Sequence, residues 1–131
     1  MNTKVIVLAG SESDKWHTDK IQEALTELWI KSEAYFKSAH KDPRGVLERV
    51  ESYADQKVIF ITVAGRSNAL SWVVAANTKK PVFACPPFKD KDDFTVNINS
   101  TLQMPSKTPV LTVLEPVNAA LACKYIFDLQ K

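Results

Sequence analysis

Apolar and polar positions along this chain fall into blocks whose period switches between that of a buried strand and that of an amphipathic helix. The first block, Val5-Ile6-Val7-Leu8-Ala9, is five consecutive apolar residues that stop at Gly10. Such a run suits a strand covered on both faces of a parallel sheet. Beyond it, Ile21, Ala24, Leu25, Leu28 and Trp29 recur at helical spacing while Lys15, Asp19, Lys20, Glu23 and Glu27 take the other face, which predicts a first amphipathic helix. Glu33 to Lys37 reads as a short strand. Asp42-Pro43 reads as an N-cap with proline at the first helical position, and Val46, Leu47, Val50, Tyr53 and Ala54 give the second helix its buried stripe. Lys57 to Ala64 contains Val58-Ile59-Phe60-Ile61-Thr62-Val63, the strongest strand signal, and it too ends in a glycine, Gly65. A third helix over Ala69 to Ala76 follows, then a fourth strand over Pro81 to Cys85 stopped by Pro86-Pro87. Lys89 to Thr101 reads as a loop plus helix, Val110 to Leu114 as a fifth strand, and Pro116 begins a final helix.

Five strands alternating with five helices imply parallel strands with helices on both faces. The expected fold is therefore α/β, a single domain over 1–131 with a doubly wound parallel sheet in three αβα layers, of the flavodoxin-like or Rossmann-like kind. Ligands bind such sheets beyond the carboxyl ends of the strands, near the point where strand order reverses. The turns after the first three strands, Gly10 to Asp14, Ser38 to Lys41 and Gly65 to Asn68, carry compact polar clusters and should converge on one pocket. The last helix is apolar on nearly every side (Ala119, Ala120, Leu121, Ala122, Cys123, Tyr125, Ile126, Leu129). Surface of that kind left over after packing on a sheet points to a homo-oligomer.

Composition narrows the partners. In 131 residues the formal charge is +2, with acids and bases interleaved. No basic run carries an aromatic platform for nucleic acid, so a small-molecule substrate is expected and a nucleic-acid partner is not. The apolar run after Lys4 is too short for a signal-peptide core and nothing approaches membrane-spanning length, which reads as a cytoplasmic protein with no membrane partner. Cys85 and Cys123 lack metal-ligand spacing and read as buried small hydrophobes. Two histidines are too few for a typical all-protein zinc site, so no metal is expected.

There is no Gly-rich lysine loop, and Gly10 alone is not a dinucleotide fingerprint, which leaves ATP and nicotinamide cofactors unsupported. The three turns instead offer hydroxyls (Ser11, Ser13, Ser38, Ser67), cations (Lys41, Arg66), a carboxylate (Asp14) and an imidazole (His40). This inventory fits a phosphorylated sugar: helix N-termini, hydroxyls and a lysine for the phosphate, a carboxylate for the ribose hydroxyls. Ser11, Ser13 or Asp14 could equally be helix caps, and Arg66 could pair with a carboxylate. His40, between Ser38 and Lys41 at a strand end, is the candidate proton carrier. His17 reads as a surface residue and Trp72 as core or interface.

Six stretches carry a resemblance in order and at similar spacing across nearly the whole chain. They are Gly10-Ser11-Glu12-Ser13-Asp14, Ser38-Ala39-His40-Lys41, Ala64-Gly65-Arg66-Ser67-Asn68, Asn77-Thr78 before Pro81-Val82, Cys85-Pro86-Pro87, and Leu102-Gln103-Met104-Pro105-Ser106. Together they resemble the phosphoribosylaminoimidazole carboxylase family of purine biosynthesis. One class of that family is a mutase moving the carboxylate of N5-carboxyaminoimidazole ribonucleotide to carbon 4; the other adds carbon dioxide directly to aminoimidazole ribonucleotide. The mutase class has arginine after the histidine of the second motif and a Gly/Ala-rich third turn with another histidine. Lys41 and Arg66-Ser67-Asn68 stand there in this chain, so it looks like the direct carboxylase.

The resemblance implies His40 as proton carrier, Ser11, Ser13 and Asp14 as ribonucleotide contacts, and Ser38 and Lys41 near the phosphate. Gly65, Arg66 and Ser67 would close the pocket around carbon dioxide. It implies no cofactor, neither metal nor biotin, and a homo-oligomer, an octamer in typical members. The remaining alternatives are the mutase activity and a non-catalytic, flavodoxin-like nucleotide-binding module. Two departures stand out: Ala69 and Lys107 occupy positions where the direct carboxylases carry glycine.

Overall fold

The computed structural model describes residues 3–131; the first two residues of the expected 1–131 domain lie outside the described residues. Five parallel strands are ordered β2-β1-β3-β4-β5. They are β1 (Thr3–Ala9), β2 (Lys31–Phe36), β3 (Lys57–Val63), β4 (Val82–Ala84) and β5 (Leu111–Thr112). The helices are α1 (Lys15–Glu27), α2 (Pro43–Glu51), α3 (Ala69–Ala76), α4 (Lys91–Leu102) and α5 (Pro116–Leu129). The doubly wound α/β architecture matches the expectation element for element.

Period-2 alternation on the two central strands divides the core into two layers. Val5, Val7, Ala9, Ile59, Ile61 and Val63 pack with α1 and α5 on one face. Ile6, Leu8, Val58 and Phe60 pack with α2 and α3 on the other. Both strands are paired on each side, Val7 with Ala34 and Ile61, and Ile61 with Phe83. Thr62 apart, they are therefore apolar at every buried position on both faces, the continuous run seen in the sequence. Cys85 and Cys123 are free and buried in the α1/α5 layer, where burial pushes both thiols up to about 12.

Three expectations at element ends are corrected. Trp29 is not on the buried stripe of α1 but 96% exposed, because the helix ends two residues earlier. Its N–H donates to the Thr26 carbonyl and that of Ile30 to the Leu25 carbonyl, a Schellman closure that puts Trp29 at φ 62°. Glycine usually fills that left-handed position. Because the indole buries nothing, Trp29→Gly is expected to raise unfolding stability by about 0.5–1 kcal/mol, the left-handed penalty less glycine's extra unfolded freedom. A urea midpoint at unchanged m-value checks it. Ala54 likewise lies past the end of α2 and is exposed, whereas Val46, Val50 and Tyr53 are buried as expected. The fifth strand contracts to two residues, since its only neighbour, β4, is itself three residues long.

Helix α4 forms where the sequence reads a loop plus helix, but its buried residues are polar. Asn97 and Thr101 are buried while Val96 and Leu102 are exposed. Its buried side instead makes hydrogen bonds to the turn before α3, described next. Lys107, where the resemblance places glycine, has φ 64°, so that backbone position does favour glycine and a lysine occupies it under strain.

Candidate active site

Each of the first three strands ends in a turn whose geometry follows from short-range bonds. After β1, the Ser11 side chain accepts from the Ser13 N–H at 3.2 Å, and the two hydroxyls lie 2.9 Å apart. Ser11 thus caps the short 3-10 turn Glu12–Asp14 that leads into α1. Asp14 stands at the N-cap of α1 yet makes no capping bond with its side chain. Its carboxylate is left free for another partner. Burial raises the pKa of Asp14; the Lys89 ammonium pulls it down and the Asp93 carboxylate pushes it further up.

After β2, the Lys41 N–H donates to Ser38 Oγ at 3.2 Å and the Asp42 N–H to the Ser38 carbonyl at 2.8 Å. That tight turn buries Ala39 and leaves His40 exposed at the sheet's carboxyl edge. Asp42 then caps α2 by accepting from the Gly45 N–H at 3.0 Å, with Pro43 at the start of the helix, as the sequence predicts.

After β3 the turn is more elaborately held. Ser67 takes φ 50°, and its carbonyl accepts from the Ala69 N–H at 2.6 Å. Asn68 caps α3 through the Ser71 N–H at 3.0 Å. From the other side, α4 grips the same residue: Ser100 Oγ accepts from the Asn68 N–H and Thr101 Oγ1 from its Nδ2 at 3.0 Å. A Cβ on Gly65 would lie 3.3 Å from Asn97 Nδ2, so the close approach of α4 favours glycine there. Thr62, the one buried polar residue of β3, is tied to Ser71 at 2.6 Å and so docks α3 on the sheet.

These turns meet at one cleft of about 630 Å³. It opens at the crevice between β1 and β3, where strand order reverses. Ser11, Ser13, Asp14, Ser38, His40, Gly65, Arg66 and Ser67 all line it. Lys41 does not; it is exposed beside the cleft, held only through its backbone. The sequence reading missed a fourth wall, the loop after β4 and the first half of α4. Pro87 and Lys89 of the loop and Asp93 and Asn97 of the helix line the cleft there. The signal was available: Pro86-Pro87 stop a strand that lies beside β3, and every carboxyl-end turn near the reversal point can reach the site.

His17, expected at the surface, is buried. It shares a stripe with Ile21 and Leu25, each four residues on, and α1 presses that stripe against the sheet. Its Nε2 lies 3.0 Å from the Cys85 carbonyl and so carries the proton as donor. Burial lowers its pKa, outweighing the opposing effect of that bond. Between about pH 6.5 and the lowered folded value, the unfolded chain binds a proton that the folded ring refuses, so stability falls as the solution is acidified. His17→Gln should flatten that dependence, read from urea midpoints on either side of about pH 6.5.

A polar cleft at the carboxyl ends of a doubly wound sheet stands where α/β proteins of this architecture hold small-molecule ligands. Comparison with known proteins takes this further. Residues 4–131 match the family model of AIR carboxylase. The phosphoribosylaminoimidazole carboxylase of Archaeoglobus fulgidus is 46% identical over 127 residues, covering 97% of this chain and 70% of its own length. The Drosophila melanogaster bifunctional phosphoribosylaminoimidazole carboxylase/phosphoribosylaminoimidazole succinocarboxamide synthetase is 41% identical across 95% of this chain, which spans only 29% of that longer protein. The crystal structure of Treponema denticola PurE superposes with a TM-score of 0.91 at 41% identity, covering 98% of this chain and 82% of that one. The chain belongs to the AIR carboxylase family.

Proposed function

We propose that the protein is a direct carboxylase of purine biosynthesis, joining carbon dioxide to carbon 4 of aminoimidazole ribonucleotide. The carrying observation is that His40 shares one cleft with Ser11, Asp14, Gly65 and Ser67, groups from three separate turns. Asp14, free of capping duty, accepts from the ribose hydroxyls, while Ser11 and Ser13 bind the ribonucleotide at the start of α1. Ser38 and the flexible Lys41 side chain beside it serve the phosphate. Gly65, Arg66 and Ser67 close over carbon dioxide.

Carbon 4 of the aminoimidazole is the nucleophilic end of an enamine. Its electron pair forms the new bond to the carbon of carbon dioxide, and one C=O pair moves onto oxygen to give the carboxylate. The ring is left cationic with both hydrogen and carboxylate on carbon 4. His40 takes that proton, the C–H pair returns to the ring, and aromaticity is restored. The remaining tasks are positioning and exclusion of water. The direct class, rather than the mutase, is supported by Lys41 after His40 and by Arg66-Ser67-Asn68 in place of a second histidine. Cytoplasmic action on a small molecule without cofactor completes the reading. On α5, Val117, Tyr125 and Leu129 remain exposed opposite its buried Ala119, Ala120 and Cys123, which supports a homo-oligomer, an octamer on the family pattern.

Purified protein given aminoimidazole ribonucleotide and bicarbonate, without ATP, should form the 4-carboxylate. Turnover from the N5-carboxy compound alone would assign the mutase activity instead. Ligand binding with turnover of neither would leave a binding module.

A further inference from the structure

We propose that Lys89 is a positioning residue whose ammonium holds Asp14 as the carboxylate that accepts the ligand's hydroxyls. The inference rests on the reading of Asp14 as a ribose contact. Lys89 follows Pro86-Pro87 at the carboxyl end of β4, and Asp14 begins α1 beyond β1; both line the same cleft. No motif of the resemblance contains Lys89.

The loop that carries Lys89 is fixed by its own acids. The Lys89 N–H donates to Asp93 Oδ2 at 3.0 Å, and the Asp93 N–H donates to Asp90 Oδ1 at 2.8 Å, which caps α4. The backbone is thereby pinned while the side chain is free: Lys89 enters none of the ion pairs among the described residues. The charged and titratable groups around Asp14 are Glu12 and Lys15 on its own turn, His40 after β2, Arg66 after β3, and Lys89, Asp90, Asp92 and Asp93 after β4. Lys15 is already bound to Asp19 at 2.9 Å. Burial and Asp93 both favour a proton on Asp14, and Lys89 is the cation that opposes them. A protonated Asp14 would present an O–H and lose the charge-assisted acceptance of two neighbouring hydroxyls.

Lys89→Met removes the charge and keeps the stem; Lys89→Arg keeps the charge. In the intact protein without ligand, carbon-13 NMR of the Asp14 carboxyl should titrate about one pH unit higher in Lys89→Met and return in Lys89→Arg. In turnover of aminoimidazole ribonucleotide, Lys89→Met should raise KM up to about tenfold at the acid end of the profile, with little change at alkaline pH or in kcat. In an Asp14→Asn background the same substitution should do nothing further. An unmoved carboxyl titration overturns the proposal. So does a KM effect that persists in Asp14→Asn, since Lys89 would then touch the ligand itself. Absence of turnover in the unmodified protein would instead sink the carboxylase reading, and the NMR titration would still decide the coupling.

Discussion

His40→Asn should lower turnover by about 10²–10⁴-fold while ligand affinity stays nearly constant. Asparagine keeps a polar group of similar reach on the Ser38–Lys41 turn, and that turn depends on Ser38 rather than on the imidazole. His40 is exposed, so its replacement leaves no cavity and no stranded buried partner. What disappears is the imidazole proposed to take the proton from carbon 4. Carboxylation would then stall after carbon–carbon bond formation, with the cationic ring free only to release carbon dioxide again. Steady-state rates with calorimetric binding of the ribonucleotide make the check. Equal losses in both would mean that His40 is a contact and not the proton carrier.

Asn68→Ala is expected to have the largest effect on folding, about 3 kcal/mol of stability, from a lost helix cap plus stranded buried partners. Asn68 is buried and joins the turn after β3 to two helices: its Oδ1 caps α3 at the Ser71 N–H, and its Nδ2 donates to Thr101 Oγ1 on α4. Alanine leaves that N–H and that hydroxyl facing each other with nothing between them. Because the same residue sets the turn that carries Gly65, Arg66 and Ser67, activity should fall even where the chain is still folded. Urea unfolding and kcat/KM on the folded fraction separate the two effects. Serine, which can cap but cannot also reach α4, should recover part of the stability.

The architecture was readable because each central element is locally consistent. Val5 to Ala9 is apolar at every position and Val58 to Val63 at every position but Thr62, the pattern of a doubly covered strand, and Gly10 and Gly65 stand where the two runs end. The three polar turns were readable for the same reason: strand ends and caps are local signals, and parallel topology forces their carboxyl ends to one edge. What was illegible depended on partners distant in sequence. The buried face of α4 could not be read because Asn97, Ser100 and Thr101 look like solvent residues until Pro87, 10 residues away, and Asn68, 32 residues away from Ser100 and 33 from Thr101, supply their hydrogen bonds. His17 was misjudged because its acceptor is the Cys85 carbonyl, 68 residues on. Trp29 failed differently: the helix stopped at Glu27 although apolar periodicity ran on.

The sequence by itself determined the order of elements, the two-sided core and the three clusters of hydroxyls, cations and imidazole at the cleft, since hydrophobic period and turn chemistry are properties of neighbouring residues. Only the tertiary structure decided which polar groups are free to work. Asp14 is spared from capping while Ser11 is not, Lys41 stands outside the cleft lining, and Lys89 comes from the segment after β4 to line the same cleft as Asp14. The reason is that burial and electrostatic pairing arise from segments brought together across the sheet, and no local pattern encodes them.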